Sequence, residues 1–335
     1  MKSNISILIP VRNGLPYIKD CVNSALAQTF QDWEMIISDN GSTDGTLDYL
    51  DTLDDHRIRV YKQEHNLGIM GNVNFLFSKA ATPLSQILCA DDYFLNKNSL
   101  DVIVDYWEKA ALEVGMVIFN YYGPSHRRVN NPENGVPSII HPPQADLWFF
   151  TCGCLSSNLS SVSIRTHLVK AAGMFNEDLP FAGDFEFWVR VARKATIGIE
   201  RNHVVYVRFH EKAASKYQNM KAELYLQQIY VYEKLIDGLS ATYNRKKLID
   251  FFNYEIGSFH YRTALKHLIR GKFGYLNQLL HSHSSILWPK WRQLLICLPI
   301  AAFNLRERFT DHMSEKIINE HLTLYTEILN QTLNN

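Results

Sequence analysis

Two adjacent carboxylates give the clearest chemical signal in this sequence. Asp91 and Asp92 follow Ser85 to Cys89, a short apolar segment that is predicted to be a buried strand. Two neighbouring negative charges at a strand end repel each other unless a cation offsets them. Carboxylate oxygens are hard ligands, which suits Mg²⁺ or Mn²⁺ with a diphosphate and waters completing the octahedron. The alternative is a solvated pair of residues at the start of the helix that carries Leu100.

Two further carboxylates are placed for chemistry by the same pattern. Asp39 follows a second predicted strand, Trp33 to Ser38, and Asp184 begins the predicted helix that carries Trp188. Ligands of an open α/β sheet bind at the carboxyl ends of its strands, so these side chains are candidates for one pocket. The glycine fingerprint of dinucleotide dehydrogenases and the P-loop motif are both absent. These features favour a nucleotide site that also holds a metal ion.

The first 215 residues alternate short strands and helices, which is typical of a mainly parallel sheet covered by helices. The other predicted strands are Ile5 to Pro10, Arg57 to Tyr61, Gly115 to Asn120, Ser156 to Ile164 and Val204 to Phe209. Residues 121–145 are dense in Pro, Gly, Asn and Arg and have no period, which predicts a long loop that is functional or mobile. From about Lys216 the pattern is helical only. We therefore expect an α/β domain at 1–215 and a helical C-terminal region at 216–335.

The composition excludes some classes of protein. Of the 335 residues, 34 are Lys or Arg and 34 are Asp or Glu, so a globally basic nucleic-acid binder is disfavoured. Five cysteines without framework spacing suit a reducing compartment. The apolar stretches Ile5 to Val11 and Leu294 to Phe303 are too short for a signal peptide or a membrane span. We expect a cytoplasmic protein.

The C-terminal region has a local charge bias that the neutral total hides. Between Tyr261 and Arg308 there is one acidic residue, Glu307, beside eight basic ones: Arg262, Lys266, Arg270, Lys272, Lys290, Arg292, Arg306 and Arg308. Trp288 and Trp291 lie next to two of these cations, just before the apolar run. This combination favours a segment that lies on an anionic membrane surface, and a core helix with a solvated basic face is the alternative.

A set of ordered motifs is more specific than any single residue. In chain order they are Ile7 to Asn13, Ser24 to Phe30, Ile37 to Thr46, Asn66 to Gly68 with Gly71 to Asn74, Cys89 to Asp92, and Ala182 to Arg190. Together they resemble the family 2 glycosyltransferases, which are inverting enzymes with the GT-A fold, a Rossmann-like nucleotide-sugar-binding sheet. The resemblance covers roughly residues 3–215. It implies a nucleotide-sugar half at about 1–110 and an acceptor half at 111–215, which the loop at 121–145 helps to shape.

The resemblance also implies a set of donor-binding residues, namely Pro10, Arg12, Asn13, Asp39, Asn40, Gly68, Asn74 and Asp91. Within that set, Asp39 and Asn40 align with an acidic pair that contacts the base and the ribose. Most members have two aspartates there, but the Asn carbonyl still accepts a hydrogen bond from a pyrimidine N3–H. Asp44 is expected to cap the helix that begins near Thr46.

The metal and the general base follow from the same alignment. Asp92 is implied as the direct ligand of Mn²⁺ or Mg²⁺, Asp91 as a second ligand or a partner of sugar hydroxyls, and His210 as a side chain near the metal or diphosphate. For His210, a structural hydrogen bond is the alternative. Cys89 occupies the usual first acidic position of the metal motif, and we interpret its soft thiol as packing. Asp184 is implied as the general base. Glu186 is expected to pair with Arg190 four residues later.

The implied activity is metal-dependent sugar transfer from a nucleotide diphosphate donor to a glycan or lipid-linked oligosaccharide of a bacterial surface polysaccharide. UDP-hexose or UDP-N-acetylhexosamine is the favoured donor, and dTDP-rhamnose is the alternative. The basic tail would hold the enzyme at the inner face of the plasma membrane, where such acceptors reside. An inactive nucleotide-sugar-binding module and a nucleotidyltransferase remain as alternatives of other classes.

Overall fold

The computed structural model describes residues 4–123, 136–156, 158–210 and 222–303, together with residues 305, 313, 316, 317 and 319. The chain divides into two compact units, Met1–Glu211 and Lys212–Asn335. The expected boundary between residues 215 and 216, and residues 124–135 of the expected long loop, lie outside the described residues. Among the helices that are described, none has the length and apolar character needed to cross a membrane.

Strands and helices alternate in the first unit. Its strands are β1 (Ile5–Val11), β2 (Trp33–Asp39), β3 (Ile58–Lys62), β4 (Leu84–Ile87), β5 (Tyr93–Phe94), β6 (Val114–Tyr122), β7 (Ile139–Ile140), β8 (Val162–Arg165) and β9 (Thr196–Tyr206). Its helices are α1 (Tyr17–Leu26), α2 (Thr46–Leu50), α3 (Gly68–Lys79), α4 (Ser99–Lys109), α5 (Pro142–Cys152), α6 (Thr166–Ala171) and α7 (Gly183–Ala192).

The described strands form one sheet in the order β3-β2-β1-β4-β8-β6-β9-β5, and β7 pairs with β9. Strands β3, β2, β1 and β4 are parallel neighbours, as are β6 and β9, whereas β8 runs antiparallel to both β4 and β6. This arrangement confirms the predicted α/β class with a mostly parallel sheet.

The sequence of β1 explains why the sheet is parallel at its centre. Ile5, Ile7, Leu8 and Ile9 are all fully buried, so both faces of the strand are covered, as in sheets with helices on both sides. The register sets Val11 opposite Asp39 and Leu8 opposite Ile87. The carboxyl ends of β1, β2 and β4 therefore open onto the same edge of the sheet.

The loops after β1 and β2 are joined by hydrogen bonds at that edge. The backbone N–H of Asn13 donates to Ser42 Oγ over 2.8 Å, and Asn13 Oδ1 accepts from the N–H of Thr43 over 2.8 Å. Asp44 Oδ1 accepts from the N–H of Thr46, the first residue of α2, and its Oδ2 accepts from the N–H of Leu15; the N-cap of α2 is Gly45 and not the predicted Asp44. These hydrogen bonds lower the pKa of Asp44, although desolvation opposes them. The first loop is thus held against the second.

Two of the predicted strands differ from the observed ones. Strand β8 begins only at Val162 because Ser161 bonds locally: its N–H donates to Asn158 Oδ1 and its Oγ to the carbonyl of Ser156. Such side-chain bonds compete with a strand ladder. The predicted strand Val204 to Phe209 is the end of the longer β9, which stops at Tyr206. Within the expected loop at 121–145, the described part contains β7 and the start of α5.

The described elements of the second unit are helical, as predicted. They are α8 (Glu223–Leu239), α9 (Arg245–Phe252), a π-helical turn (Asn253–Gly257), α10 (Ser258–Ile269), α11 (Gly274–His281) and α12 (Lys290–Ala302). His260 is buried among Tyr275 and Gln228, which lie 2.6 and 2.8 Å from its two ring nitrogens. Burial lowers its pKa to about 3, so it is neutral and structural.

The cluster of tryptophans and cations before α12 is mostly internal. Trp288 is buried, donates to Asp250 Oδ1 over 2.8 Å and lies 3.9 Å from the Arg292 guanidinium carbon. Lys290 donates to the carbonyl of Leu279 and to Ser282. The prediction that Trp288 is an interfacial residue is therefore wrong, because its indole N–H and ring are used within this unit.

The stability of the first unit depends on a buried amide that caps α4 from another element. Gln28 Oε1 accepts from the N–H of Leu100 over 2.9 Å, and its Nε2 donates to the carbonyls of Ser24 and Asn96. Replacing it with Leu leaves these groups without partners, so we expect Gln28→Leu to lower the free energy of unfolding by about 1–3 kcal/mol. Denaturant titration of the full chain measures this change. The control is Asn23→Leu, the same kind of replacement at an exposed position of α1; an equal loss in both variants would contradict the proposed cap.

Candidate active site

The turn after β4 brings three ligating side chains together. The Sγ atom of Cys89 and a carboxylate oxygen each from Asp91 and Asp92 all lie within 4.8 Å of one another. Asp92 is buried, while the other two side chains are partly exposed. The adjacent carboxylates thus converge on one small volume, as expected for a cation site rather than a solvated helix start.

Asp92 stabilises this turn by accepting hydrogen bonds from other parts of the chain. Its Oδ2 accepts from Ser160 Oγ over 2.6 Å, and its Oδ1 accepts from the N–H of Arg208 over 3.0 Å. Burial, followed by the negative charge of Asp91, raises the pKa of Asp92, and the hydrogen bond from Ser160 opposes this rise. Both carboxylate oxygens already accept strong hydrogen bonds. The geometry therefore disfavours the expectation that Asp92 is the direct metal ligand.

Asp91 is the better placed of the two carboxylates. Its side chain is 34% exposed, and its Oδ2 lies 3.0 Å from Nε2 of His210. The His210 ring packs against Tyr17 with a centroid distance of 4.5 Å, and its Nδ1 is buried with no hydrogen-bond partner among the described residues. Asp91 and His210 therefore form an oxygen and nitrogen pair at the accessible side of the turn.

Arg208 fixes the segment that carries His210. Its guanidinium carbon lies 5.1 Å from the ring centre of Tyr17 and 4.8 Å from that of Tyr93, and its Nη2 bonds to Asp20 over 2.6 Å. The Nη1 atom also approaches the carbonyl of Asp91 at 3.4 Å. The sequence analysis assigned no role to Arg208, which lies in the same short segment as His210, or to Ser160, which belongs to no recognisable motif. The position of Arg208 two residues before His210 was the available signal.

At the end of β2, only one of the two carboxylate oxygens of Asp39 accepts hydrogen bonds from the described residues. Asp39 is fully buried, and its Oδ1 accepts from the N–H groups of Gly41 and Ser42 at 3.1 and 2.9 Å. Its Oδ2 has no partner among the described residues. Buried polar atoms nearly always have a hydrogen-bond partner, so a water or ligand N–H is expected at this oxygen.

The side-chain amide of Asn40, by contrast, forms three hydrogen bonds within the protein. Its Nδ2 donates to Asn66 Oδ1 and to the carbonyl of Gly68, both over 2.9 Å, and its Oδ1 accepts from the N–H of Leu67 over 2.7 Å. The amide thus holds the turn before α3, and the expected contact of Asn40 with the base or ribose stays a prediction. Gly68 belongs to that turn and has a φ of +77°, a conformation that favours glycine.

Asn74 also has a supporting role instead of the expected contact with the donor. Its Oδ1 accepts from the N–H of Phe175 over 2.8 Å, and its Nδ2 donates to the carbonyl of Phe175 and to Glu177 Oε1. These bonds hold the segment that leads into α7 and Asp184. Of the residues at the end of β1, Arg12 is exposed and unpaired within the described part of the chain, whereas Asn13 joins the two loops.

Asp184 lies in the first turn of α7, whose N-cap residue is Ala182. Its Oδ1 accepts from the N–H of Phe185 over 2.7 Å, and its Oδ2 lies 4.0 Å from Cys154 Sγ. Desolvation raises the pKa of Asp184 to about 6. Glu186 pairs with Arg190 over 2.8 Å, which confirms that prediction and removes Glu186 as a free carboxylate.

The charge of Asp184 acts on Cys89, which belongs to the turn after β4. Burial and then the charges of Asp92, Asp91 and Asp184 raise the pKa of the Cys89 thiol well above its usual value. A charge acts in this way only at short range, so Asp184 lies near the turn after β4. The arrangement offers a carboxylate with a raised pKa next to a cation site, which suits proton removal from a group held beside a metal-bound ligand.

Known proteins are similar to this chain in sequence. Residues 6–162 match the model of glycosyl transferase family 2. TuaG of Bacillus subtilis, a glycosyltransferase provisionally assigned to teichuronic acid biosynthesis, is 39% identical over 148 residues, which are 43% of this chain and 55% of TuaG. The chain spans about 35% of the length of the first curated relatives that it matches.

Solved structures resemble the fold over most of the chain. Residues 1–349 of S. aureus TarS in complex with UDP-GlcNAc have a TM-score of 0.60 and 18% identity, covering 95% of this chain and 92% of that one. The mannosyltransferase PcManGT from Pyrobaculum calidifontis, in complex with GDP-Man and Mn²⁺, has a TM-score of 0.57 and 14% identity, covering 95% and 86%. These structures support the expected GT-A fold. Residues 6–162, which carry the ordered motifs and the turn after β4, form a glycosyl transferase family 2 domain.

Proposed function

We propose that the protein is an inverting, metal-dependent glycosyltransferase that moves a sugar from a nucleotide diphosphate donor to a glycan acceptor. The observation that carries this proposal is the presence of two carboxylates with different surroundings: Asp91 is accessible and lies 3.0 Å from His210 Nε2, whereas burial raises the pKa of Asp184 to about 6. Asp184 suits proton removal from the acceptor, and Asp91 suits a cation that binds the donor diphosphate. An inactive binding module has no need of the first, and a nucleotidyltransferase has no acceptor proton to place beside it.

In the proposed reaction, the acceptor hydroxyl oxygen forms a bond to the anomeric carbon of the donor sugar. The bond from that carbon to the diphosphate oxygen breaks, and the hydroxyl proton passes to a carboxylate oxygen of Asp184. A carboxylate whose pKa is near 6 is ionised at neutral pH and still takes up a proton readily. The departing diphosphate leaves with the electron pair of the broken bond.

The donor set of the turn fits a divalent cation. Asp91 supplies a hard oxygen and His210 an imidazole nitrogen, a combination that suits Mn²⁺ and also accepts Mg²⁺. Such an ion, when bound, offsets the negative charge that develops on the departing diphosphate. Arg12, which is exposed and unpaired among the described residues, adds a second positive charge at the end of β1.

The favoured donor is UDP-hexose or UDP-N-acetylhexosamine, and dTDP-rhamnose is the alternative. The unpaired Asp39 Oδ2 suits the N3–H that uracil and thymine share. TarS, whose fold is similar, is recorded with UDP-GlcNAc, while PcManGT is recorded with GDP-Man. The assignment of TuaG to teichuronic acid biosynthesis supports an acceptor in surface polysaccharide synthesis, and lipid-linked oligosaccharides are the proposed form.

The proposal includes a peripheral location at the inner face of the plasma membrane. The turn between α10 and α11 exposes Ile269 by 87% and Phe273 by 68%, and two exposed cations, Arg270 and Lys272, lie between them. No acidic residue occurs between positions 256 and 306 of the sequence. Exposed apolar side chains flanked by cations are typical of segments that enter an anionic membrane surface.

Asp184→Asn tests the general base. We expect transfer to fall by about 10²–10⁴-fold, because a positioned base contributes that much, while donor affinity stays unchanged. In the unmutated protein, kcat/KM should fall as the pH drops through about 6, where Asp184 takes up a proton. Glu186→Gln, on the same helix, is the control and should retain most of the activity. Transfer at the normal rate by Asp184→Asn would remove this residue as the base.

Thermal unfolding with UDP, dTDP, GDP and CMP, each with Mn²⁺ or with EDTA, tests the donor and the metal. A ligand at 100 times its dissociation constant adds about 2.7 kcal/mol, so one diphosphate should stabilise the chain with Mn²⁺ only. Asp91→Asn should abolish the effect of Mn²⁺, whereas the control Asp105→Asn, an exposed residue of α4, should not. Equal stabilisation with EDTA would contradict the metal assignment. Pyrophosphate release in the turnover assay would instead indicate a nucleotidyltransferase.

Sedimentation with anionic vesicles tests the membrane surface. We expect the double variant Ile269→Ser/Phe273→Ser to bind about tenfold more weakly or worse, because each apolar side chain contributes about 1.5–3 kcal/mol when buried. Leu112→Ser is the control, since Leu112 is 89% exposed but lies in the first unit. Undiminished binding by the double variant would exclude this turn as the membrane contact.

A further inference from the structure

Cys89 is placed as a ligand instead of as a core residue. Its Sγ lies within 4.8 Å of carboxylate oxygens of both Asp91 and Asp92, and the residue as a whole is partly exposed. Cys21 shows the contrast, because it is fully buried and its thiol points to the carbonyl of Cys89. The sequence-based interpretation of Cys89 as packing is therefore at odds with its position.

The spacing of these atoms is compatible with a shared ion. Ligand atoms on a tetrahedral ion are separated by about 1.6 times the bond length, which is roughly 3.3–3.8 Å for the bonds of about 2.0–2.3 Å that oxygen and sulfur form with Zn²⁺. Separations below 4.8 Å thus need only small side-chain movements to close on one ion. His210 does not belong to this cluster of three, but it lies beside it, since its Nε2 is 3.0 Å from Asp91 Oδ2.

The chemistry of a thiolate differs from that of the carboxylates around it. Sulfur is a soft donor that favours Zn²⁺ and similar ions, whereas Mg²⁺ and Mn²⁺ prefer oxygen. A site with one sulfur, one imidazole nitrogen and one or two carboxylate oxygens is a familiar zinc ligand set. Replacing an oxygen donor by a thiolate therefore changes the relative affinities of the site for different metals.

We propose that Cys89 is a metal ligand, and that it makes the site of Asp91 and His210 selective for thiophilic divalent ions, Zn²⁺ above all, over Mn²⁺ and Mg²⁺. This inference rests on the metal site of the proposed function and concerns which ion occupies it. On binding, the Cys89 S–H bond breaks, its proton goes to solvent, and the sulfur electron pair forms the bond to the metal. No oxidation or reduction takes place.

Cobalt spectroscopy of the full chain tests the sulfur ligand without an activity assay. Adding Co²⁺ to the unmutated protein should produce a sulfur-to-cobalt charge-transfer band, and Cys89→Ser should lose it completely. The double variant Cys152→Ser/Cys154→Ser is the control, because it removes the other partly exposed thiols and should keep the band. Absence of the band in the unmutated protein, or its persistence in Cys89→Ser, overturns the proposal.

Competition between metals tests the selectivity. Zn²⁺ outranks Mn²⁺ at most nitrogen and oxygen sites, so the decisive quantity is the change in their affinity ratio on mutation. We expect Cys89→Asp and Cys89→Ser to lower the ratio of Zn²⁺ to Mn²⁺ affinity by about tenfold or more, as measured by displacement of Mn²⁺ followed by electron paramagnetic resonance. An unchanged ratio contradicts the proposal.

These outcomes are separable from failure of the proposed function. If no nucleotide sugar is turned over but the band depends on Cys89, the proposed activity fails and the thiolate site stands. If transfer occurs with Mn²⁺ and the band is absent, the activity stands and Cys89 is not a ligand. Circular dichroism of Cys89→Ser shows whether a lost band reflects a lost ligand or an unfolded chain.

Discussion

The buried carboxylate of Asp92 is the interaction on which the site depends. It accepts one hydrogen bond from Ser160 and one from the backbone of Arg208, and so joins the turn after β4 to the approach of β8 and to the chain beyond β9. That second bond acts together with the ion pair between Arg208 and Asp20 and with the packing of Arg208 between Tyr17 and Tyr93 to hold His210 beside Asp91. Burying a carboxylate is costly unless it is well bonded, which is why both oxygens are used.

The same region concentrates negative charge. Asp91, Asp92 and Asp184 all raise the pKa of one thiol, and Asp184 itself has a raised pKa because its surroundings exclude water. Such an arrangement destabilises a fold that has no ligand, and it is found where chemistry requires it. A bound divalent cation would bring this region closer to electrical balance. This repulsion between carboxylates is therefore consistent with a site that its ligands stabilise.

The fold could be predicted from the sequence much further than the site. Ile5 to Ile9 form an uninterrupted apolar run with a turn after it, so a buried parallel strand was the natural prediction, and the helical tail follows from its period. The adjacent pair Asp91 and Asp92 was visible for the same reason, since it comes directly after such a run. Which of the two faces the ligand was not visible, because that depends on Ser160 and Arg208, 68 and 116 residues away. The roles of Asn40 and Asn74 could not be predicted either. A sequence motif does not distinguish a side-chain amide that lines a pocket from one that forms hydrogen bonds to a loop. Trp288 and Trp291 show the same limit, since neighbours in sequence point to opposite environments.

These long separations have a consequence for how the chain acquires its site during synthesis. Asp92 leaves the ribosome well before either of its hydrogen-bonding partners, and the ends of β1 and β2 can pair while residues beyond 160 are still being made. The nucleotide edge is thus built from early, mostly local contacts, whereas the acidic turn closes only after β9 has joined the sheet, which is the slow, non-local part of folding. Until then the carboxylates remain hydrated. A nascent chain whose nucleotide edge has already bound a nucleobase therefore cannot yet transfer a sugar.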